Sequence, residues 1–323
     1  MWQTRVVIGQ LHWPDLRVYV AGHRGLVGSA VVRALEAAGV GEVIGWASTD
    51  LDLRDREQVI DALVESKPDV VIDAAAKVGG ILANSTQPVD FLRDNSLIQI
   101  NVMDAAHRAN VDNLLFLGSS CIYPRLATQP IRETSLMTGP LEPTNQAYAM
   151  AKISGIFFVE AYRRQYGRSW ISAMPTNLYG PGDNFDLESS HVPAAFIRRF
   201  HEAKVRGDKQ VTMWGTGSAL REFLHVDDLA RACLTLLEKY DDPETINVGC
   251  GSDLSIFDFA HIVREVVGFE GEIQWDSSRP DGMPRKLLDV SRLNELGWSP
   301  SINLKDGLSS TYEWFLGSSW ALQ

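Results

Sequence analysis

The chain has 323 residues, 45% of them hydrophobic, which is enough for one large α/β domain or two smaller ones around a well-packed core. A formal net charge of −11 argues against general attraction to nucleic acid or to an anionic membrane surface, so small molecules are the expected partners. The three cysteines, Cys121, Cys233 and Cys250, make no C-x-x-C pair, and an odd number spread over so long a chain reads as reduced thiols in a cytoplasmic protein, with no disulfide framework and no metal site.

Residues 1–16 carry neither a sustained apolar run nor a small-residue cleavage site, and no stretch of the chain reaches the ~18 apolar residues of a membrane span. They read as an N-terminal extension, either disordered or forming a strand-like flap around Val6–Ile8. Leu16–Val20 is then a short apolar strand that runs into Gly22-His23-Arg24-Gly25-Leu26-Val27-Gly28 and a helix reaching Leu35. Strand, glycine turn and helix, with glycines three apart, make a phosphate cradle: Gly22 for the tight turn, Gly25 for close approach of a pyrophosphate, Gly28 for packing helix on sheet. All seven turn residues are cofactor candidates.

Val43–Trp46 is the second strand. In dinucleotide folds its end meets the adenosine ribose, where an acid selects the 2'-hydroxyl and a base the 2'-phosphate. Here Trp46-Ala47-Ser48-Thr49 holds no Arg or Lys, and Asp50 stands several residues too late. Arg24 is the nearest phosphate partner, with a solvated surface arginine as the plainer reading, and the Ser48 and Thr49 hydroxyls could add contacts. Asp55 is expected to cap a helix over Arg56–Ser66, ahead of a buried strand from Asp69 to Ala74. Lys77, beside Gly79-Gly80, is a substrate-side or cofactor-side candidate. Asn95–Ala109 reads as a long helix that packs on the sheet or against a second subunit.

Leu114–Leu117 followed by Gly118-Ser119-Ser120-Cys121 reads as a buried parallel strand delivering hydroxyls and a thiol at its carboxyl end, where open α/β sheets bind ligands. Tyr148 and Lys152 are four apart and share one helix face, so the ammonium is expected to favour the phenolate and make the tyrosine a proton donor near neutral pH. That helix should stop at Gly167. Trp170–Met174 is the next strand, and Pro175–Gly182 a loop suited to closing on a nicotinamide. His191 precedes a helix through Phe200; alone it reads as a surface or capping residue. Arg198, Arg199 and Arg206 form a basic face, either solvated or meeting a diphosphate, and Arg221, Arg285 and Lys286 could join Arg199 there. The pattern predicts an α/β fold: a Rossmann-type doubly wound parallel sheet over residues 17–180, to which segments around 222–250 return, and a smaller C-terminal substrate-binding domain in the rest of 181–323.

The glycine turn, Tyr148-x-x-x-Lys152 after a Ser-bearing strand, and the C-terminal substrate region together resemble the extended short-chain dehydrogenase/reductases. Longer stretches, among them Ala74–Gly80, Gly118–Pro124, Leu141–Asn145, Pro175–Gly180 and Arg279–Gly282, are similar to the branch that epimerises and reduces a GDP-keto-sugar. This resemblance spans Arg17 to the C-terminus and implies conversion of GDP-4-keto-6-deoxy-D-mannose to GDP-L-fucose, by epimerisation at C3 and C5 and then NADPH reduction at C4, in a homodimer. It implies that Cys121 and His191 are the acid/base pair, that Tyr148 donates to the C4 oxygen, that Ser119 hydrogen-bonds that oxygen, and that Lys152 lowers the tyrosine pKa and grips the nicotinamide ribose. It further implies NADP contacts from Leu117, Gly118, Ser119, Ser120, Pro175, Thr176, Asn177, Leu178 and His191, and GDP-sugar contacts from Lys77, Arg199, Trp214, Arg221, Asp281 and Lys286. The family often carries an arginine where this chain has Trp46-Ala47-Ser48-Thr49, so NADP preference rests on Arg24. Another nucleotide-sugar epimerase or dehydratase would keep Tyr148 and Lys152 without needing Cys121 and His191 together; a silent dinucleotide-sensing protein could lose Ser119, Tyr148 or Lys152.

Overall fold

The computed structural model describes residues 11–187, 189–278 and 282–322. Val6–Ile8 and Asp281 lie outside these described residues. Apolar runs with little polar alternation fold as strands buried on both faces, and four of them, together with the partly exposed edge strand β2 (Glu42–Ile44), open the main sheet: β1 (Arg17–Ala21), β3 (Val70–Asp73), β4 (Asn113–Leu117) and β5 (Ser169–Pro175). A sixth strand, β10 (Ile246–Val248), returns from the second half of the chain, and the order is β10-β5-β4-β3-β1-β2, parallel throughout. The chain steps outward from β1 to β2 and then reverses to β3. The switch point therefore lies between the carboxyl ends of β1 and β3, the crevice where open α/β sheets take their ligands.

Helices cover both faces. On one, α1 (Leu26–Ala37) packs with α7 (Val226–Lys239) over Val18, Val20, Leu115 and Ile171; on the other, α2 (Arg56–Ser66), α4 (Pro88–Arg108) and α5 (Gln146–Tyr166) cover Val71, Leu114, Phe116 and Trp170. Local signals behave as expected. Asp55 caps α2 by accepting from the Gln58 N–H at 3.2 Å, and Gly167 ends α5 in the left-handed region at φ +67°.

A third core lies outside the main sheet, built from Phe185, Phe196, Phe200, Phe223, Phe259 and Phe315. It is enclosed by α6 (Val192–Arg206), α8 (Ile256–Val267) and α10 (Leu304–Leu316). Small sheets edge it. β7 (Gln210–Trp214) pairs with β12 (Glu272–Asp276), and β8 (Leu220–Arg221) lies between β11 (Leu254–Ser255) and β13 (Arg285–Lys286).

Two expectations change. The segment from Trp13 to Asp15 is not a detached extension: it forms a single 3-10 turn, Trp13 is buried, and its indole N–H donates to Glu238 at 2.7 Å. A large aromatic beside the first strand had a core edge to cover. The stretch read as a loop from Pro175 to Gly182 contains a strand, β6 (Asn177–Tyr179), which pairs in parallel with β9 (Phe223–His225). Its apolar Leu178 and Tyr179 are too few to announce a strand by periodicity.

Candidate active site

The glycine turn has the geometry of a phosphate cradle. Gly22 sits at φ +76°, and a Cβ there would lie 2.9 Å from Ala75 Cα; a Cβ on Gly28 would lie 2.0 Å from the Gly22 carbonyl oxygen. Turn, helix and β3 thus touch through backbone alone. Gly25 is the N-cap of α1 and no side chain caps that helix, so its first-turn N–H groups point into the crevice with the positive end of the helix dipole. These residues fit the diphosphate of a dinucleotide. Arg24 is exposed beside them, as are Ser48, Thr49 and Asp50 across the crevice. Between them His23 packs on Gly45, where a Cβ would lie 2.6 Å from the imidazole, and burial with the nearby Arg24 charge lowers its pKa.

Across the switch point, Gly118 admits no side chain, since a Cβ would meet Met174 Sδ at 2.4 Å, and the chain then turns into a short 3-10 helix over Ser120–Ile122. The Ser119 hydroxyl accepts from the Cys121 N–H at 3.2 Å and also hydrogen-bonds Tyr148. Burial pushes the Tyr148 phenol up, a nearby Cys121 thiolate pushes the same way, and the Ser119 bond opposes them. The buried Lys152 ammonium donates to the Leu117 carbonyl at 2.8 Å and lies 4.8 Å from the centre of the Phe116 ring. Desolvation brings Lys152 down to about 8, opposed by the charge of Asp73.

His191 reaches the cleft because its loop is docked on the glycines after β3. The Gly80 N–H donates to the Ser189 carbonyl at 3.0 Å, and a Cβ on Gly80 would stand 3.1 Å from the Ser190 carbonyl. His191 is the N-cap residue of α6, yet its ring makes no capping bond and remains accessible from the cleft. Desolvation by the cleft walls lowers its pKa, and the positive charge of Lys286 adds to the effect. Lys286 also donates to Cys121 Sγ at 3.5 Å. Three residues separated by up to 165 positions thus form one electrostatic unit: thiol, ammonium and imidazole.

The rest of the expected substrate face divides. Arg221 pairs in register with Lys286 across β8 and β13, which places two cations side by side. Arg199 lies 5.6 Å over the ring of Trp214, whose face is exposed. Arg198 instead bonds Glu202 at 2.7 Å, Arg206 bonds Asp208 at 2.9 Å and Arg285 bonds Asp253 at 2.5 Å, so these three are engaged within the chain. Lys77 turns toward Asp94, 3.3 Å away, while its backbone N–H donates to Asn95. On the cofactor side Leu117, Ser120, Pro175 and Thr176 are buried, Asn177 donates to the Glu222 carbonyl at 2.8 Å, and Leu178 lines the same wall.

Two carboxyl groups went unnoticed in the sequence. Glu222, fully buried between β8 and β9, accepts from the Gly251 N–H at 2.7 Å and the Leu288 N–H at 3.1 Å, stitching the loops that carry the late cations to the sheet. Asp183 is buried after β6, with one oxygen bonded to the Asn184 N–H and the other unpartnered, and desolvation pushes it to about 7. Asp183 directly follows the turn Gly180-Pro181-Gly182, a local sign, whereas Glu222 has no glycine beside it in the sequence.

Residues 18–249 match the model of the NAD dependent epimerase/dehydratase family. GDP-L-fucose synthase 1 of Arabidopsis thaliana is 56% identical over 300 residues, 93% of each chain. Among solved structures, a GDP-6-OMe-4-keto-L-xylo-heptose reductase from C. jejuni superposes with a TM-score of 0.90 at 34% identity, covering 94% of this chain and 98% of that one. A GDP-L-fucose synthetase from Naegleria fowleri bound to NADP superposes with a TM-score of 0.86 at 28% identity over 94% of each chain. The parallel sheet, the glycine cradle and these matches agree: the chain belongs to the NAD dependent epimerase/dehydratase family, on the branch of the GDP-L-fucose synthases.

Proposed function

We propose that this protein converts GDP-4-keto-6-deoxy-D-mannose to GDP-L-fucose, first epimerising C3 and C5 and then reducing the C4 ketone with NADPH. The observation that carries this reading is the Cys121–Lys286–His191 unit beside Ser119 and Tyr148. A reductase alone needs a hydroxyl donor and a cofactor; a thiol and an imidazole facing the same cleft supply what epimerisation adds. Protons next to a ketone are acidic enough for one group to remove while another returns a proton from the opposite face. Cys121 is the base, with Lys286 as the cation beside the thiolate it forms. His191 is the acid. Desolvation by the cleft walls and the charge of Lys286 disfavour the protonated imidazole, and a substrate diphosphate resting on Lys286 and Arg221 offsets the second of these, which favours the acid form.

When bound, NADPH supplies the hydride for C4. Tyr148, kept protonated by burial, hands its proton to the C4 oxygen, Ser119 orients that oxygen and the phenol together, and Lys152 holds the ribose hydroxyls. Gly22–Gly28 cradle the diphosphate of the cofactor, with Leu117, Gly118, Ser120 and Pro175–Leu178 along its nicotinamide half. Arg199 and Trp214 receive the GDP part of the substrate, a cation and an aromatic face for a diphosphate and a base. Residues 17–180 with 222–250 form the cofactor domain, and the rest of 181–323 the substrate domain.

The chain works as a cytoplasmic homodimer. Leu92 and Leu97 on α4 and Met150 and Phe157 on α5 are exposed apolar side chains on two helices packed against each other, a face suited to a second copy. No helix among the described residues is long and apolar enough to cross a membrane. The decisive experiment incubates the protein with the keto-sugar and NADPH in deuterium oxide, following absorbance and product stereochemistry. No oxidation of NADPH would sink the reading. Cys121→Ser should keep NADPH binding and lose deuterium entry at C3 and C5; undiminished entry would remove Cys121 as the base. Light scattering tests the dimer.

A further inference from the structure

Asp73 ends β3 at the switch point, where its neighbours in the sheet are Ala21 on β1 and Phe116 on β4. Its side chain is completely buried. One carboxyl oxygen accepts from the Ala75 N–H at 3.3 Å; the other has no hydrogen-bond partner. A buried carboxyl oxygen left unpaired costs several kcal/mol unless a cation answers it, as an order of magnitude. Paired residues of a parallel sheet project to the same face, so Asp73 shares the face of Phe116, one strand spacing away. That ring is the one beneath the Lys152 ammonium. The carboxylate and the ammonium are therefore neighbours on the α5 side of the sheet, in surroundings that screen little.

We propose that Asp73 is a positioning residue for the reduction: a buried counter-ion that keeps the Lys152 ammonium charged and anchored between the Leu117 carbonyl and the cofactor ribose. This rests on the reductase reading given above. The groups facing the pair are few. β1 contributes Tyr19, whose phenol is pushed up by burial and by the Asp73 charge; β4 contributes Phe116 and a carbonyl; α4 contributes the uncharged Gln99, which bonds the Ala151 carbonyl at 2.6 Å; α5 contributes Lys152 itself. Among the described residues Lys152 is the one cation that shifts Asp73, and Asp73 the one anion that shifts Lys152. Burial drives both toward neutrality while each charge resists the loss of the other, and with these effects acting together Asp73 lies at about 6 and Lys152 at about 8. Between those values the pair is ionised. Without the carboxylate, the lysine loses its proton at a lower pH, and with it the donor that the ribose hydroxyls and the Leu117 carbonyl use.

The test is Asp73→Asn, which keeps the shape and the acceptor for the Ala75 N–H while removing the charge. NADPH affinity is measured by fluorescence titration from pH 5.5 to 9.5, and kcat for the keto-sugar over the same range. The alkaline fall in both should move down by about one pH unit, so that affinity and turnover drop about fivefold at pH 8 and about tenfold at pH 9 and above, while at pH 6 they stay within about twofold. Profiles that superpose on those of the parent protein would overturn the proposal. If Asp73→Asn does not fold, lysine labelled with 13C at Cε in the parent protein serves, with the Lys152 signal assigned from Lys152→Met. That signal should show its own titration and a second inflection from the carboxylate; a single inflection would overturn the proposal. Binding and labelling need no turnover, so they separate failure of this inference from failure of the reductase reading.

Discussion

The two halves of the site are built in opposite ways. The cofactor half is local: seven consecutive residues make the cradle, and Tyr148 and Lys152 sit one helical turn apart. The substrate half is assembled from distant segments, with His191 docked on Gly80, Lys286 on Cys121, and Arg221 set beside Lys286 by two-residue strands. A local site inherits its geometry from helix and turn and survives changes elsewhere. An assembled site has only the geometry its tethers impose, so it should fail by way of residues that touch no substrate.

The largest expected effect tests the local half. Tyr148→Phe removes the proton donor while leaving the ring against Phe91, so turnover to the reduced sugar should fall by about 10²–10⁴-fold. Deuterium exchange at C3 and C5 should persist, because Cys121 and His191 remain. Loss of exchange along with reduction would mean that the two halves do not act separately.

Glu222→Ala tests the tethers. It leaves the Gly251 and Leu288 N–H groups without their charged acceptor, at a cost of about 2–4 kcal/mol measured by thermal or urea unfolding. The variant's KM for the keto-sugar should rise well beyond any change in NADPH affinity, since β13 loses its anchor while the glycine cradle does not. Equal losses in both affinities would show that the late segment is not a separate assembly.

What could be read in advance follows the same division. Periodicity and glycine spacing carried the strands, the cradle and the Tyr148–Lys152 helix because each is decided within a few residues. Lys286 could be named as a substrate cation from its charged loop, but its place beside Cys121 depends on how β8, β11 and β13 pair, which no local pattern reports. Asp73 was hidden for another reason. It closes the apolar run Val70-Val71-Ile72, and only the sheet order reveals that this end is central and roofed by α5. Lys77 shows the same division: its small neighbours could be read in the sequence, but the approach of Asp94 on α4 to within 3.3 Å of its ammonium could not.

Asp183 offers a pH-dependent test of the wall between the halves. Its folded pKa, pushed by desolvation from 3.8 to about 7, lies above that of the unfolded chain. The folded state therefore holds the proton more tightly, and this contribution to stability is full below about pH 4 and is lost as pH rises through about 7. Asp183→Asn cannot ionise. Its unfolding free energy should lose that part of the decline between pH 5 and pH 8 that the parent protein shows, a relative gain of about 1–3 kcal/mol at pH 8 in urea titrations. Parallel pH profiles would mean that the carboxyl is solvated in solution.

The smallest effect concerns Arg24, the one place where the local half is thin. The crevice edge after β2 offers the Ser48 and Thr49 hydroxyls and the Asp50 carboxylate, all exposed, and no cation. Among the described residues Arg24 makes no hydrogen bond, and its charge, after burial, helps to lower the pKa of the His23 imidazole. A 2'-phosphate there gains one exposed guanidinium contact, modest against solvent screening, and meets Asp50 as an opposing charge. Arg24→Ala should therefore raise the NADPH dissociation constant about tenfold, leave that of NADH within about twofold, and make the NADPH preference fall as salt is raised in the parent protein. Unchanged NADPH affinity would move 2'-phosphate recognition to the hydroxyls of Ser48 and Thr49. In that event a cofactor half that is local in sequence would still choose its nucleotide by neutral hydrogen bonds, and the preference would not respond to salt.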